Sequence, residues 1–202
     1  MKEQLQKDFD NIIKNLSLSQ RDTEIKQFYL DNFINKGFPN RRDENWKFSD
    51  LNQIIKKNIG ELSFYNDYTS TNKVDTSLFV DGLEHNKIVF INGRIEKIDF
   101  DYERKDQIEI IDKSETINRF NNNNSLSDLN NAFTNKSFKI IVKNGYQLVK
   151  PLIIYHITNS DIWSKNINLR LDFELGKDSS LRLIDLYNDT SEKNFLNIFY
   201  NF

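Results

Sequence analysis

Apolar residues recur at two different periods along this 202-residue chain, and the change of period divides it. In the first part the spacing is helical. Leu5, Phe9, Ile12 and Ile13 give residues 3–15 one apolar side, and Ile25, Phe28, Tyr29 and Phe33 do the same for 23–36. Gly37 then stands where a left-handed helix-ending residue is wanted, Phe38 can fold back on the last turn, and Pro39 forbids continuation. The following "NRRDENWKF" carries no period. Ser49 is a suitable N-cap with Asp50 in the first turn, and Leu51, Ile54 and Ile55 supply an apolar stripe for the next helix. The stretch "GFPNRRDENWKFSDL" at 37–51 therefore reads as an elbow between two helices. Trp46 and Phe48 form its wedge, and Arg41, Arg42, Asp43, Glu44 and Lys47 decorate it; the structural reading has an arginine over the Trp46 ring paired with Glu44 or Asp43, and the alternative is direct recognition of a partner.

Beyond residue 86 the period shortens. "KIVFINGRIEKIDF" (87–100) sets Asn92-Gly93 between two β-branched or aromatic runs, a strong hairpin signal, and "DQIEIID" (106–112) reads as a further strand. "SLSDLNNAF" (125–133) predicts a short helix capped by Ser125 or Ser127. After residue 138 only strands are predicted: "FKIIV", "PLIIYHI", "INLRLDFEL", "SLRLIDLY" and "NFLNIFYNF". The turn-to-strand unit "KNGYQLVKPLII" is loosely echoed by "LGKDSSLRLIDL", which fits either an all-β sandwich or a β-solenoid of stacked coils. Leu169, Leu171, Phe173 and Leu175 alternate with polar residues, so one face of that strand is buried. The closing aromatic strand has no polar cap after it, which predicts an incomplete chain or one that relies on a partner.

Composition narrows the function classes. Hydrophobic residues make up only 38%, yet aromatics reach 13%, with sixteen Phe, so a folded chain with a thin aromatic core is expected. The 28 basic and 30 acidic residues are interspersed, leaving no single-sign field for a nucleic acid backbone. There is no cysteine, which excludes thiol chemistry and thiolate ligation within these residues and fits a reducing, cytoplasmic setting. No apolar run approaches the roughly 18 residues of a membrane span. Asn121–Asn124 reads as a polar loop.

No motif compels a reaction. Gly176-Lys177 lacks the earlier glycine and the Ser or Thr of a phosphate loop, and reads as a turn. His85 and His156 are far apart, without ligands at a known spacing, and read as surface or half-buried residues. Asp172, Glu174 and Asp185 are accounted for by a solvated strand face, and no Ser-His-Asp set is recognisable. Trp163 reads as a partly buried strand or loop residue, or one at a subunit contact. The expectation is a protein that is not an enzyme.

The elbow also resembles the N-terminal signature of the SufD family of iron–sulfur cluster assembly proteins, a Gly-x-Pro-x-Arg-x-x-Glu-x-Trp-Lys-aromatic-Ser/Thr-Asp-Leu pattern. Gly37, Pro39, Arg41, Glu44, Trp46, Lys47, Phe48, Ser49, Asp50 and Leu51 match it. "FINGR" (90–94), "DLNNAF" (128–133), "GYQLVKPLII" (145–154) and "NLRLDFELGKDSSLRLIDLY" (168–187) are similar, in the same order, to the family's later elements. The resemblance implies an α+β chain: a mostly helical domain over 1–134 with a β-hairpin near 87–100, then the first coils of a right-handed parallel β-helix over 135–202. It further implies a non-catalytic scaffold subunit that pairs with SufB-like and SufC-like ATPase subunits. The complex assembles the iron–sulfur cluster, and this chain holds no cofactor. The family's ATPase-docking region has no counterpart in these residues. No catalytic, cofactor-binding or metal-ligating residue carries over, and the signature positions Pro39, Arg41, Glu44, Trp46, Lys47 and Asp50 are expected to be structural. The competing expectations are a stand-alone structural or binding β-solenoid and a carbohydrate-active β-helix enzyme.

Overall fold

The computed structural model describes residues 2–16, 18–64, 76–113, 124–135, 137–159, 162–189 and 193–202. Most of the polar loop at 121–124 lies outside them; Asn124 is described. The helices are α1 (Lys2–Asn15), α2 (Gln20–Lys36), α3 (Leu51–Asn58) and α4 (Ser125–Phe133). The strands are β1 (Asn86–Ile91), β2 (Arg94–Asp99), β3 (Ile108–Lys113), β4 (Ser137–Val142), β5 (Leu152–Thr158), β6 (Lys165–Leu175), β7 (Leu183–Asp189) and β8 (Asn194–Asn201).

Local chemistry sets the helix ends. Helix α2 begins three residues before its apolar period because the Ser19 hydroxyl accepts from the Asp22 amide at 3.1 Å. It stops at Gly37, whose φ of 74° lies in the left-handed region and whose N–H reaches Phe33 O at 2.7 Å. Phe38 then folds back edge-on against Phe33, with ring centroids 5.1 Å apart. For α4 the cap is Asn124, not Ser125 or Ser127: its side-chain oxygen accepts from Leu126 N at 3.0 Å and from Ser127 N at 3.4 Å. Both serines are buried within the helix.

The strands form two four-stranded sheets, in the orders β2-β1-β5-β7 and β3-β4-β6-β8. This corrects the expected α+β chain with a right-handed parallel β-helix: both sheets are mixed, and the described residues close no solenoid coil. The reason lies in how each sheet starts. Asn92 and Gly93, with φ of 51° and 80°, reverse β1 into an antiparallel β2, and β3 likewise runs antiparallel to β4. Only β5 and β7 on one sheet, and β6 and β8 on the other, extend the pairing in parallel. From β4 to β8 successive strands alternate between the sheets. The loose sequence echo therefore appears as two stacked turns: Leu148 N bonds Ser180 O at 3.0 Å, and Lys177 N bonds the Asn144 side chain at 2.8 Å. A Cβ on Gly176 would meet Asn144 N at 2.5 Å, so this glycine is there for close approach and not for phosphate.

Alternate residues of the two sheets meet in a shared apolar layer. Ile88, Phe90, Leu152 and Ile154 face Phe138, Ile140, Val142, Leu169, Leu171 and Phe173. Leu175, the last of the expected buried series, is exposed. Val89, Ile153, Tyr155 and Ile157 line the outer face of the first sheet, where Leu78 and Phe79 cover them. Glu103 pins the β4–β5 turn by accepting from the Val149 and Lys150 amides, the Tyr146 hydroxyl and the Asn86 amide group. Burial raises its pKa, but these bonds outweigh burial and hold the carboxyl below its ordinary value.

The helices share a second core, to which Leu5, Phe9, Tyr29, Leu30, Phe33 and Phe133 contribute. Helix α4 ties it to the second sheet. Asn130 donates to Leu169 O at 3.0 Å and to Asn197 O at 2.7 Å, and Asn197 returns a bond to Leu126 O at 2.8 Å. Lys26 closes the far end of α4, with Nζ 2.6 Å from Thr134 O and 3.2 Å from Asn131 O. Burial outweighs the attraction of Asp22 and lowers this ammonium pKa from 10.5 to about 8.

That shift has a definite sign. Between pH 8 and 10.5 the unfolded chain holds a proton that the folded one has lost, so stability rises with pH across this window. Urea unfolding on either side of pH 8 should show the rise. Lys26→Met should flatten it and cost about 1–3 kcal/mol, because the carbonyls lose their donor. The same slope in the variant would show that another group is responsible.

Candidate functional site

Two histidines read as surface or half-buried residues are in fact buried, at 5% exposure for His85 and 3% for His156. His85 is held by structure: Nδ1 lies 2.6 Å from Leu83 O and Nε2 lies 2.8 Å from the Tyr155 hydroxyl, which also accepts from Val80 N. This chain of bonds seats residues 80–85 on the outer face of the first sheet.

His156 is different, because its neighbours are chemical groups of several kinds. It occupies an inward position on β5, stacked between Phe90 of β1 and Tyr187 of β7, its in-register neighbours, with centroids 5.4 and 5.0 Å away. Its Nε2 lies 2.9 Å from Asp185 Oδ1 and 2.9 Å from the Tyr200 hydroxyl. Tyr200 donates to Asp185 Oδ1 at 2.6 Å, and Tyr187 donates to Asp185 Oδ2. With both hydroxyl protons directed at the carboxylate, Nε2 carries a proton and donates to this pair of oxygens.

The apolar layer between the sheets thus ends in a four-residue polar cluster drawn from β5, β7 and β8. Asp185 is half-buried and Tyr187 is 59% exposed, so one side of the cluster is open to solvent. Burial raises the Asp185 pKa, but the bonds from His156, Tyr187 and Tyr200 outweigh it and hold the carboxyl below its ordinary value. Both phenols are pushed well above theirs, by burial and by the adjacent carboxylate.

Reading Asp185 with Asp172 and Glu174 as one solvated face missed this. Asp172 and Glu174 do face outward, paired with Arg170 and Lys139. Asp185 faces inward, opposite Ile154 in the β5–β7 register. The usable signal was the alternation Leu183, Asp185, Tyr187, which puts a carboxylate and a phenol on the face of a core leucine. Trp163 is an exposed turn residue with Lys193 Nζ 4.8 Å from its ring centroid.

The elbow at 37–51 divides into two sets of residues. Pro39 is buried, its carbonyl accepting Leu51 N at 3.0 Å; Trp46 packs against the helical core; and Asp50, rather than Ser49, caps α3 by accepting Gln53 N at 3.0 Å. Arg41, Glu44 and Lys47 are exposed, and so is Phe48, at 89%. Phe48 is therefore no wedge. The bond from Ser49 N to Trp46 O makes residues 47 and 48 the outer corner of a tight turn, leaving Trp46 alone inside. Among the described residues no guanidinium lies over Trp46; at this corner Lys47 Nζ lies 5.9 Å from the Phe48 centroid. Arg41, Phe48, Asp50, Ile54 and Lys57 line a shallow groove of about 290 Å³.

Comparison of the sequence with protein-family models and with curated proteins finds no match.

A depressed carboxyl pKa contributes stability that is present above the unfolded value and lost as pH falls through the folded one. Asp185→Asn should therefore cost about 1–3 kcal/mol at neutral pH, and this deficit should shrink as pH falls below about 4 and through the lowered folded pKa. Denaturant melts over an acid series check this, and parallel curves for variant and parent would contradict it.

Proposed function

We propose that this protein is a non-catalytic scaffold subunit of the SUF iron–sulfur cluster assembly system, SufD-like in kind, which works by engaging SufB-like and SufC-like partner subunits. The observation that carries this reading is the division of the signature-like elbow. Packing and capping account for Pro39, Trp46 and Asp50, whereas the Phe48 ring stands in solvent beside Lys47 and Arg41. An exposed aromatic flanked by cations on a rigid corner suits a protein contact, since aromatic and arginine side chains are enriched at interfaces. The cluster itself belongs to the complex, because these residues include no cysteine to ligate one. A cytoplasmic setting goes with this role. Among the described residues no helix is long and apolar enough to cross a membrane.

The test is co-expression of this chain with a SufB-like and a SufC-like subunit from the same genome, followed by size-exclusion chromatography. Co-elution with the SufB-like subunit is expected, with the SufC-like ATPase retained only through it, and Phe48→Asp with Lys47→Glu should weaken it at least about tenfold in affinity. Both changes are on the surface and should leave thermal stability within about 0.5 kcal/mol of the parent. Separate elution of the unaltered folded chain from both subunits would sink the reading.

A further inference from the structure

We propose that His156, Asp185, Tyr187 and Tyr200 form a binding site for a ferric ion. The inference stands on the cluster's own chemistry and is independent of the scaffold reading. One imidazole nitrogen, one carboxylate and two phenol oxygens converge from three strands. Octahedral metal bonds of about 2.0–2.1 Å at right angles put neighbouring donors about 2.9 Å apart. His156 Nε2 already lies 2.9 Å from both Asp185 Oδ1 and Tyr200 Oη, and those two oxygens are 2.6 Å apart. The three atoms trace one slightly contracted face of such an octahedron, closed by hydrogen bonds. Tyr187, bonded to the other carboxylate oxygen, supplies the fourth donor from the exposed side.

Charge selects the ion. Oxygen anions are hard ligands, and a partly buried site favours a complex of no net charge. Two phenolates and one carboxylate carry three negative charges, which a trivalent ion cancels and a divalent ion does not. On binding, each phenol loses its proton to solvent as an Fe–O bond forms. The Nε2 proton of His156 is replaced by the metal while Nδ1 takes one up, so the imidazole stays neutral, two protons leave in all, and no electron moves. Four donors leave two positions on the solvent side for water or a small chelating anion.

The test is titration of the folded chain with ferric nitrilotriacetate, followed by visible absorbance, because iron(III)–phenolate charge transfer gives a colour that tyrosine alone lacks. Saturation at one ion per chain is expected. Tyr187→Phe removes an exposed hydroxyl, so it should fold normally and reduce the band by about half or more, and adding Tyr200→Phe should abolish it. Should the double variant not fold, Tyr187→Phe alone decides. No band from the folded parent, or an undiminished band in Tyr187→Phe, overturns the proposal. So does a melting temperature raised as much by zinc sulfate as by ferric nitrilotriacetate, which would assign a divalent or purely structural cluster. Failure of the chain to co-elute with a SufB-like subunit bears on none of these readouts.

Discussion

Two sheets packed face to face, with successive strands alternating between them from β4 to β8, turn alternate residues of those strands toward one shared layer, most of it shielded from water. The rest of the molecule follows from filling that layer. Between β1, β4, β5 and β6 it is filled by aliphatic and phenylalanine side chains. On β7 and β8 the same inward positions carry Asp185, Tyr187 and Tyr200, and His156 lies beneath them on β5. A carboxylate placed there is stabilised by the three donors that meet it. The cluster is thus the polar end of the inter-sheet layer and not a surface decoration.

A second constraint acts at the join between helices and strands. Helix α4 is buried at eight of its nine residues, so its terminal amides and carbonyls cannot rely on water. Asn124 closes one end, Lys26 closes the other, and Asn130 and Asn197 lock its flank to the second sheet. Lys36 reaches Asp128 at 2.7 Å, and burial still leaves that carboxyl above its ordinary pKa. The helical unit is therefore joined to the sheet by buried polar groups that must be mutually satisfied, which favours a single seating over a sliding apolar contact.

The elbow and the cluster are positioned in two different ways. At the elbow, a partly buried tryptophan packed on the helical core, a buried proline and a capping aspartate fix the corner, and the turn then holds Phe48 outward whatever its hydrophobicity. In the cluster, strand register does the positioning. Residues 29 and 15 positions apart meet because β5 pairs with β7, while β8 faces them from the other sheet.

What could be read from residue order was whatever short-range chemistry determines. The apolar periods of α1 to α3, the Gly37–Pro39 stop, the Asn92-Gly93 reversal and the strands from 138 onward all rest on neighbours within one turn or one hairpin. Errors of one to three residues in the caps, Asp50 for Ser49 and Asn124 for the serines, came from choosing among nearby side chains that can all accept the same bond. The sheet arrangement was not legible in this way, because alternating strands look alike whether their partners run parallel or antiparallel. Nor was the environment of His156 legible, since burial and partnership depend on registers between strands distant in sequence. Packing the two sheets together decided that Asp185 faces inward, and the turn closed from Ser49 N to Trp46 O on the helical core decided that Phe48 faces outward, because each outcome depends on how a whole unit is seated and not on the preference of one residue.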